Sequence, residues 1–536
     1  MRLDEGTAKK GLVSIEATRG HAAQSRKLRV ESFPFDASLI LVGVAGLATF
    51  VLHVARSGAY GYERDELYFL WCAQHLAWGY VDQPPLIALI AKVATTLFGD
   101  SLLGIRLLAD FAAAATVVVT GRVARRLGGG LFAQGIAMLA LALAPFYLAA
   151  GNMLTMNAFE PLFWVSAAYL FFKADDDDRL RHWLALGAVA GLGLLNKYSM
   201  FFYLASACLA IALTPQRRAF LRPGFWLAAG VALALVAPSI WWQAAHGWPQ
   251  LEVLRNAASS KNVVPAPLGF FVQQSFMMNP ISAPIWIAGL GYLLFAREGV
   301  RLRWFGYTYL ILSLAYLALQ AKVYYLAPIY PVLLGAGGVV IERALAPRRA
   351  LAVAYSVALF LSGLAIAPEA FPLLPLNAFI AYQHLFDVRG VKMEKHPKGL
   401  VPQHFADMLG WETLTKTMAR QYDALPEGRR AKAAILTGDY GQAAAIDFFG
   451  RAYHLPNALS GHNTYYLYGT QGYSGDVVLA VGLERDVLRT EWRSVEPVAT
   501  YHDDYLLPDQ NNLPVYLCTE RIGNFAVWWP RLKRYI

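Results

Sequence analysis

The sequence predicts a polytopic α-helical membrane protein with a mixed α/β domain at its C-terminal end. Three observations predict it. Charged residues make up 16% of the 536 residues and hydrophobic ones 57%, against roughly 25% charged in soluble domains. Several apolar runs approach the ~20 residues that a spanning helix needs. Short strand-like runs with Gly, Asn and Pro turns appear only past about residue 370. The net charge of +10 is no argument for nucleic acid, because the basic residues cluster between apolar runs, as topology-setting loop charges do.

Residues 1–36 are polar and basic and read as a cytoplasmic tail. No cleavable leader pattern precedes the first apolar run, which reads as a retained signal anchor. About eleven spans are expected within a membrane domain covering 37–368: near 37–55, 101–121, 131–150, 159–174, 182–197, 198–213, 224–243, 281–296, 304–320, 324–341 and 350–367. The stretch 182–213 reads either as one long helix or as two broken at Asn196-Lys197-Tyr198. With two helices and a cytoplasmic N-terminus, the clusters Arg217/Arg218/Arg222, Arg297/Arg301/Arg303 and Arg343/Arg348/Arg349 stay inside; with one they move outside. The positive-inside rule favours two. Residues 369–536 then form a soluble extracytoplasmic α/β domain, with strands expected in "AAILTGD", "DVVLAVG" and "LPVYLCTE" and a helix in "QAAAIDFFG".

Two apolar segments, 66–78 and 86–98, are too short to span and read as helices along the outer interface. The Asp175–Asp178 run reads as a charged cytoplasmic turn. Cys72, Cys208 and Cys518 form neither a disulfide framework nor a metal spacing.

Charges at a membrane edge are costly, so each needs a reason. Asp65, Glu66, Asp82, Arg106, Asp110, Glu160, Lys197 and Lys322 come from different loops and helix ends, yet all fall on the predicted outer face. Each has a plain reading as well. Asp65 and Glu66 suit a helix start, and Asp82 before Pro84-Pro85 suits a turn. Arg106 and Asp110 suit an intrahelical ion pair. Asn157 and Glu160 share a helical face. Lys197 suits a snorkelling lysine, and the Tyr pair beside Lys322 an aromatic belt. Together they suit glycosyl transfer from a lipid phosphate: a carboxylate takes the acceptor proton, and cations receive the leaving phosphate.

The run "RDELYFLWCAQHLAWGYVDQPPLIALIAKVATTLFGDSLLGIRLL" resembles the first outer loop of the GT-C superfamily of integral-membrane glycosyltransferases, family 39 type. That group includes protein O-mannosyltransferases, the lipid A aminoarabinose transferase and lipopolysaccharide galacturonic-acid transferases. "LTMNAFEPLFW", "NKYSMFF" and "KVYYLAPIYP" match further pieces, and "GDYGQAAAIDFFG" and "LSGHNTYYLYG" resemble outer domains of bacterial members. The resemblance implies a GT-C fold and a polyprenyl-phosphate sugar donor, with transfer to a lipid, glycan or protein hydroxyl on the outer face of the inner (plasma) membrane. It implies no metal and no cofactor. By position it implies Asp65 and Glu66 as the catalytic carboxylates, Asp65 first as base. Asp82 shapes the pocket and Lys197 holds the donor phosphate. Lys322, Tyr325 and Arg106 are helpers. Many members carry aspartate where this chain has Asn157, so that loop only binds, or Glu160 takes over. Two other readings stay open: a transporter or flippase for a lipid-linked sugar, and a non-catalytic glycan-binding relative.

Overall fold

The computed structural model describes residues 36–261, 263, 265–386 and 394–536. The expected N-terminal tail, 1–36, lies outside them apart from Asp36. The chain divides into two compact units, Met1–Leu41 and Val42–Ile536. The membrane helices from Val42 onward and the C-terminal sheet therefore belong to one unit.

Each of the eleven expected runs is helical. Five helices are long and apolar enough to cross a membrane alone: Ala37–Arg56, Leu102–Arg126, Pro223–Ala245, Val323–Leu345 and Arg349–Glu369. Three bent pairs bring the number to eight if each is one span: Leu131–Ala142 with Pro145–Gly151, Ser199–Ala212 with Pro215–Leu221, and Pro267–Met277 with Pro280–Phe295. The second elements of these pairs open on proline at the first turn, where its missing N–H costs nothing. The other three runs fall short on length or polarity. Leu180–Asn196 and Arg303–Ala318 have 17 and 16 residues, and Met156–Asp177 carries Asn157, Glu160 and Lys173.

Small residues let these helices approach closely. A Cβ on Gly337 would sit 1.8 Å from the Ile285 carbonyl oxygen, across the crossing of Ala283–Phe295 and Tyr330–Leu345. The aspartate run is held by arginines from elsewhere: Asp176 pairs with Arg126 at 2.5 Å and Asp175 with Arg222 at 3.7 Å.

The stretch 182–213 is two helices. Leu180–Asn196 ends at Lys197, whose backbone is extended (φ −157°, ψ 138°), and Ser199–Ala212 follows. The Asn196 amide donates to the Met156 carbonyl at 2.9 Å, stapling the break to the start of Met156–Asp177.

The two short apolar helices have different environments, which corrects the expectation of two alike. Leu86–Phe98 exposes Leu89, Val93 and Leu97, one stripe at i, i+4, i+8, and suits an interface. Arg64–Gln74 does not: Leu67 through Ala73 are each at most 5% exposed. They share one core with Ile435, Tyr440, Ala444, Ile446 and Tyr465 of the C-terminal domain. The first helix is apolar because protein covers it on both sides, a burial that hydropathy does not distinguish from lipid.

The C-terminal sheet has strands β1 (Ala433–Thr437), β2 (Ala458–Ser460), β3 (Val477–Val481), β4 (Trp492–Tyr501) and β5 (Leu513–Arg521), in the order β2-β1-β3-β5-β4. β2, β1 and β3 run parallel; β5 and β4 are antiparallel to their neighbours. β1 and β3 are buried at every position, as continuous apolar runs of a covered parallel sheet are. β2 and β4 escape the sequence reading for physical reasons. β2 has only three residues. β4 is a solvated edge with Pro497 inside it and a register shift there, and proline demotes a run to an edge or bulge.

Candidate active site

The four consecutive charges 63–66 are separated by helix geometry into four environments. Glu63 is the N-cap of Arg64–Gln74, and its side chain accepts from the Asp65 N–H at 2.7 Å. Glu66 completes the capping box by accepting from the Glu63 N–H at 2.9 Å. Burial, with Asp65 and Asp407 nearby, pushes the Glu63 carboxyl well above the usual range.

Glu66 is fully buried and saturated. Arg106 donates to both of its oxygens, at 2.8 and 2.7 Å, and the Leu154 N–H donates at 2.7 Å. The rest of the Arg106 guanidinium binds the Ser57 and Gly61 carbonyls at 2.8 and 2.9 Å. Neither side chain has surface left for a substrate. Glu66 as a catalytic carboxylate and Arg106 as a phosphate helper are therefore replaced by a structural clamp. The intrahelical pair also fails to form: Asp110 instead accepts from the Ser57 hydroxyl at 2.8 Å.

Asp65 points the other way, about 100° around the helix. Its carboxylate is 39% exposed. The Tyr440 hydroxyl donates to Oδ1 at 2.6 Å. Oδ2 has no hydrogen-bond partner among the described residues. Tyr440 sits at the carboxyl end of β1, in the motif Gly438-Asp439-Tyr440-Gly441. Asp439 there caps the following helix by accepting from the Gly441 N–H at 2.7 Å and pairs with His462 at 3.1 Å. Gly441 lies so close that a Cβ would sit 2.4 Å from Arg64 Cγ.

The carboxyl end of β2 supplies the second clasp. The Asn463 amide donates to Asp82 Oδ2 at 3.0 Å, while the Tyr68 hydroxyl donates to Oδ1 at 2.8 Å. Thr464 pairs with the Tyr68 hydroxyl at 2.7 Å and accepts from the Val81 N–H at 3.1 Å. Both clasps come from the carboxyl ends of parallel strands, where open α/β sheets place ligands.

Lys197 lies on the membrane side, held at the helix break. Its ammonium donates to Asn157 Oδ1 at 2.7 Å and Glu160 Oε2 at 2.8 Å. It also stands over the Tyr325 and Tyr324 rings, 4.6 and 5.2 Å from their centroids. Two of its three N–H donors are engaged and the third remains. Glu160 is 2% exposed, and its other oxygen accepts from the Ser199 hydroxyl. With both oxygens engaged, it is not placed to stand in as a base. Lys322 pairs with Glu394.

Tyr324 lies within electrostatic reach of Glu160, Asp65 and Glu394 alike. Two cavities lie beside these elements. One, of about 20 Å³, is lined by His53, Thr116 and Asn157 among others. The other, of about 200 Å³, lies between Gln74, Lys92, Asp100 and Phe448. Asp65 and Lys197 line neither of these cavities.

Sequence reasoning passes over Arg64, Tyr440, Asn463, Ser199, Glu394 and Asp407. For Tyr440 a signal exists: a Gly-Asp pair at the end of an apolar strand and the start of a helix. Asp407 carries no such signal. Burial pushes its carboxyl up to about 6, against the opposing pull of Arg64. A carboxyl with a folded value above its unfolded one stabilises the protein below about pH 4, and that stability is lost as pH rises through about 6. Asp407→Asn is therefore expected to flatten the fall of the thermal midpoint between about pH 4 and 6, read by a pH series of melts in detergent.

Residues 82–242 match the family model described as dolichyl-phosphate-mannose-protein mannosyltransferase. A lipid A galacturonosyltransferase, RgtD of Rhizobium johnstonii, is 28% identical over 227 residues. That match covers 40% of this chain and 46% of the relative, so the chain spans about half the length of the curated relative it matches. ArnT from Cupriavidus metallidurans is similar in structure in its apo state, with 14% identity, 89% of this chain and 97% of that chain covered, and a TM-score of 0.57. The same protein bound to undecaprenyl phosphate matches at 14% identity over 90% of this chain and 98% of that chain, also at 0.57. The chain is thus a multi-pass membrane protein with the fold of the GT-C superfamily of glycosyltransferases, and its 82–242 segment matches the protein-mannosyltransferase model within that fold.

Proposed function

We propose that this protein transfers a single sugar from a polyprenyl-phosphate donor to an acceptor hydroxyl at the outer face of the plasma membrane. The acceptor is a glycolipid, glycan or protein. The N-terminus is cytoplasmic and the sheet domain extracytoplasmic. The observation that carries the reading is the presence of a half-exposed carboxylate, Asp65, with one oxygen unpartnered among the described residues, together with an ammonium, Lys197, at a helix break that keeps one donor unused. The protein-mannosyltransferase match, the galacturonosyltransferase relative and the undecaprenyl-phosphate complex of ArnT support it.

The step is one displacement. Asp65 Oδ2 takes the proton of the acceptor hydroxyl as its oxygen attacks the anomeric carbon. The bond from that carbon to the phosphate oxygen breaks, and the electron pair leaves with the polyprenyl phosphate. The developing charge falls on the third N–H of Lys197. Attack opposite the leaving group inverts the anomeric centre. Tyr325 and Tyr324 hold the ammonium in place, and Asn157 binds it without titrating. Lys322 pairs with Glu394, and the Asn463 and Tyr68 clasp on Asp82 fixes the loop that faces the acceptor. The leaving group is the donor's own phosphate, so the step calls for no metal or cofactor.

The test is transfer of radiolabelled sugar from a polyprenyl-phosphate donor by purified protein. Lys197→Met is expected to lower the rate about 10²-fold, the usual effect of removing one electrostatic donor to a leaving or developing anion. A wild-type rate in this variant would place the phosphate elsewhere.

A further inference from the structure

The Asp65 carboxylate is gripped at one oxygen only. The Tyr440 hydroxyl donates to Oδ1 at 2.6 Å, and Arg64 Nε stands 3.7 Å from the same oxygen. The terminal torsion of an aspartate is broad, so a half-exposed carboxylate without such a grip swings between orientations. Tyr440 itself has no room to swing. It is 5% exposed. Its ring packs on Tyr68 at 4.7 Å, under the Arg64 guanidinium at 5.6 Å and against the edge of His462 at 4.9 Å. It is the first residue of the helix Tyr440–Phe449, which Asp439 caps. The turn before it is seated on β3. There the Gly438 N–H donates to the Val481 carbonyl at 2.9 Å, and a Cβ on Gly438 would meet the Gly482 carbonyl oxygen at 1.8 Å.

Resting on the reading of Asp65 as base, we propose that Tyr440 is a positioning residue for sugar transfer: its hydrogen bond holds the Asp65 carboxylate so that Oδ2, and not Oδ1, meets the acceptor hydroxyl. The acceptor proton passes to Oδ2 as the acceptor oxygen bonds to the anomeric carbon, and the Tyr440 proton stays on its own oxygen throughout. Two observations support this role. Tyr440 Oη is the one side-chain hydrogen-bond donor to Asp65 among the described residues. Burial, against the pull of Arg64, holds the Tyr440 hydroxyl well above the usual phenol range, with the Asp65 charge adding to it. The phenol therefore remains a donor and does not compete as a base. Placement matters here because a reacting group displaced by about 1 Å loses on the order of 10²-fold in rate. The sheet domain thus takes part in the reaction through a residue 375 positions from the base.

The experiment measures transfer from radiolabelled mannosyl and galacturonosyl polyprenyl phosphates, offered in parallel, to a membrane lipid and protein extract. Tyr440→Phe keeps the ring and its neighbours and removes only the donor. It is expected to lower kcat about 10- to 100-fold, the effect of losing a charge-assisted hydrogen bond, with KM for the donor within about twofold of wild type. In an Asp65→Asn background the same change is expected to cost less than about twofold more, because it acts through a carboxylate already lost. Tyr440→4-aminophenylalanine returns an N–H donor at the same place. It is expected to recover most of the rate, and it serves if the phenylalanine variant does not fold. A wild-type kcat in Tyr440→Phe, or an aminophenylalanine variant without recovered rate, overturns the proposal. So does an equal further loss in the Asp65→Asn background, which marks a structural role, or a raised KM with kcat unchanged, which marks a binding contact. These outcomes leave Asp65 as base. Asp65→Asn transferring at the wild-type rate brings down that assignment and this proposal together, and transfer from neither donor by wild type brings down both with the glycosyltransferase reading.

Discussion

Asp65→Asn lowers sugar transfer about 10³-fold while the protein keeps its fold, because a general base supplies roughly 10²–10⁴ in rate and asparagine preserves the shape around it. The substitution is informative because of what it retains. The amide oxygen of the introduced asparagine can still accept from the Tyr440 hydroxyl, which holds Asp65 Oδ1 at 2.6 Å. The other position, where Oδ2 has no partner among the described residues, becomes an amide that cannot take a proton. Binding of the donor is therefore expected to change little and the loss to fall on kcat. Transfer at the wild-type rate in the radiolabel assay removes Asp65 as base; since the fold remains, that result points to a non-catalytic relative or to another carboxylate on the same rim.

The second large effect is on stability. Glu66→Ala leaves the Arg106 guanidinium buried without its counter-charge and takes the acceptor from the Glu63 and Leu154 N–H groups. Removing one partner of a buried pair typically costs about 3–5 kcal/mol, so a marked fall in the detergent melting midpoint and in membrane yield is expected. Glu66→Leu with Arg106→Met is expected to recover only part of that loss. The double change removes both charges, but it also strips the Ser57 and Gly61 carbonyls of their donors and leaves the two N–H groups open. Full recovery would mean that the clamp holds by charge alone; an unchanged midpoint in Glu66→Ala would mean that it does not hold the loop at all.

The two neighbours, Asp65 and Glu66, show where a linear reading reaches its limit. Adjacent helical residues diverge by about 100°, which separates their roles without assigning them. Which one meets Arg106 depends on how Arg64–Gln74 lies against Leu102–Arg126, and that is set by packing between segments about 40 residues apart. The same holds for Arg106 itself. Its i, i+4 neighbour Asp110 is the partner that spacing offers, yet Glu66 takes the guanidinium with both oxygens and Ser57 takes Asp110. Lys197 was nearer to legible. A lysine in an apolar run, parity of the basic loops and an adjacent Asn-Lys-Tyr break locate it at an edge, and the structure adds Asn157, Glu160 and the tyrosine pair around it.

By itself the sequence determined the helical membrane architecture, the break at Lys197, the acidic helix start at residues 65–66 and the strands that became β1, β3 and β5. These follow from hydropathy, loop charge and local spacing, all of them short-range quantities. Tertiary structure alone decided that the Arg64–Gln74 helix is roofed by the sheet domain and that the carboxyl ends of β1 and β2 clasp Asp65 and Asp82. Contacts such as Tyr440 to Asp65 join residues 375 positions apart. Burial in protein and burial in lipid select the same apolar residues, so only the assembled fold tells them apart.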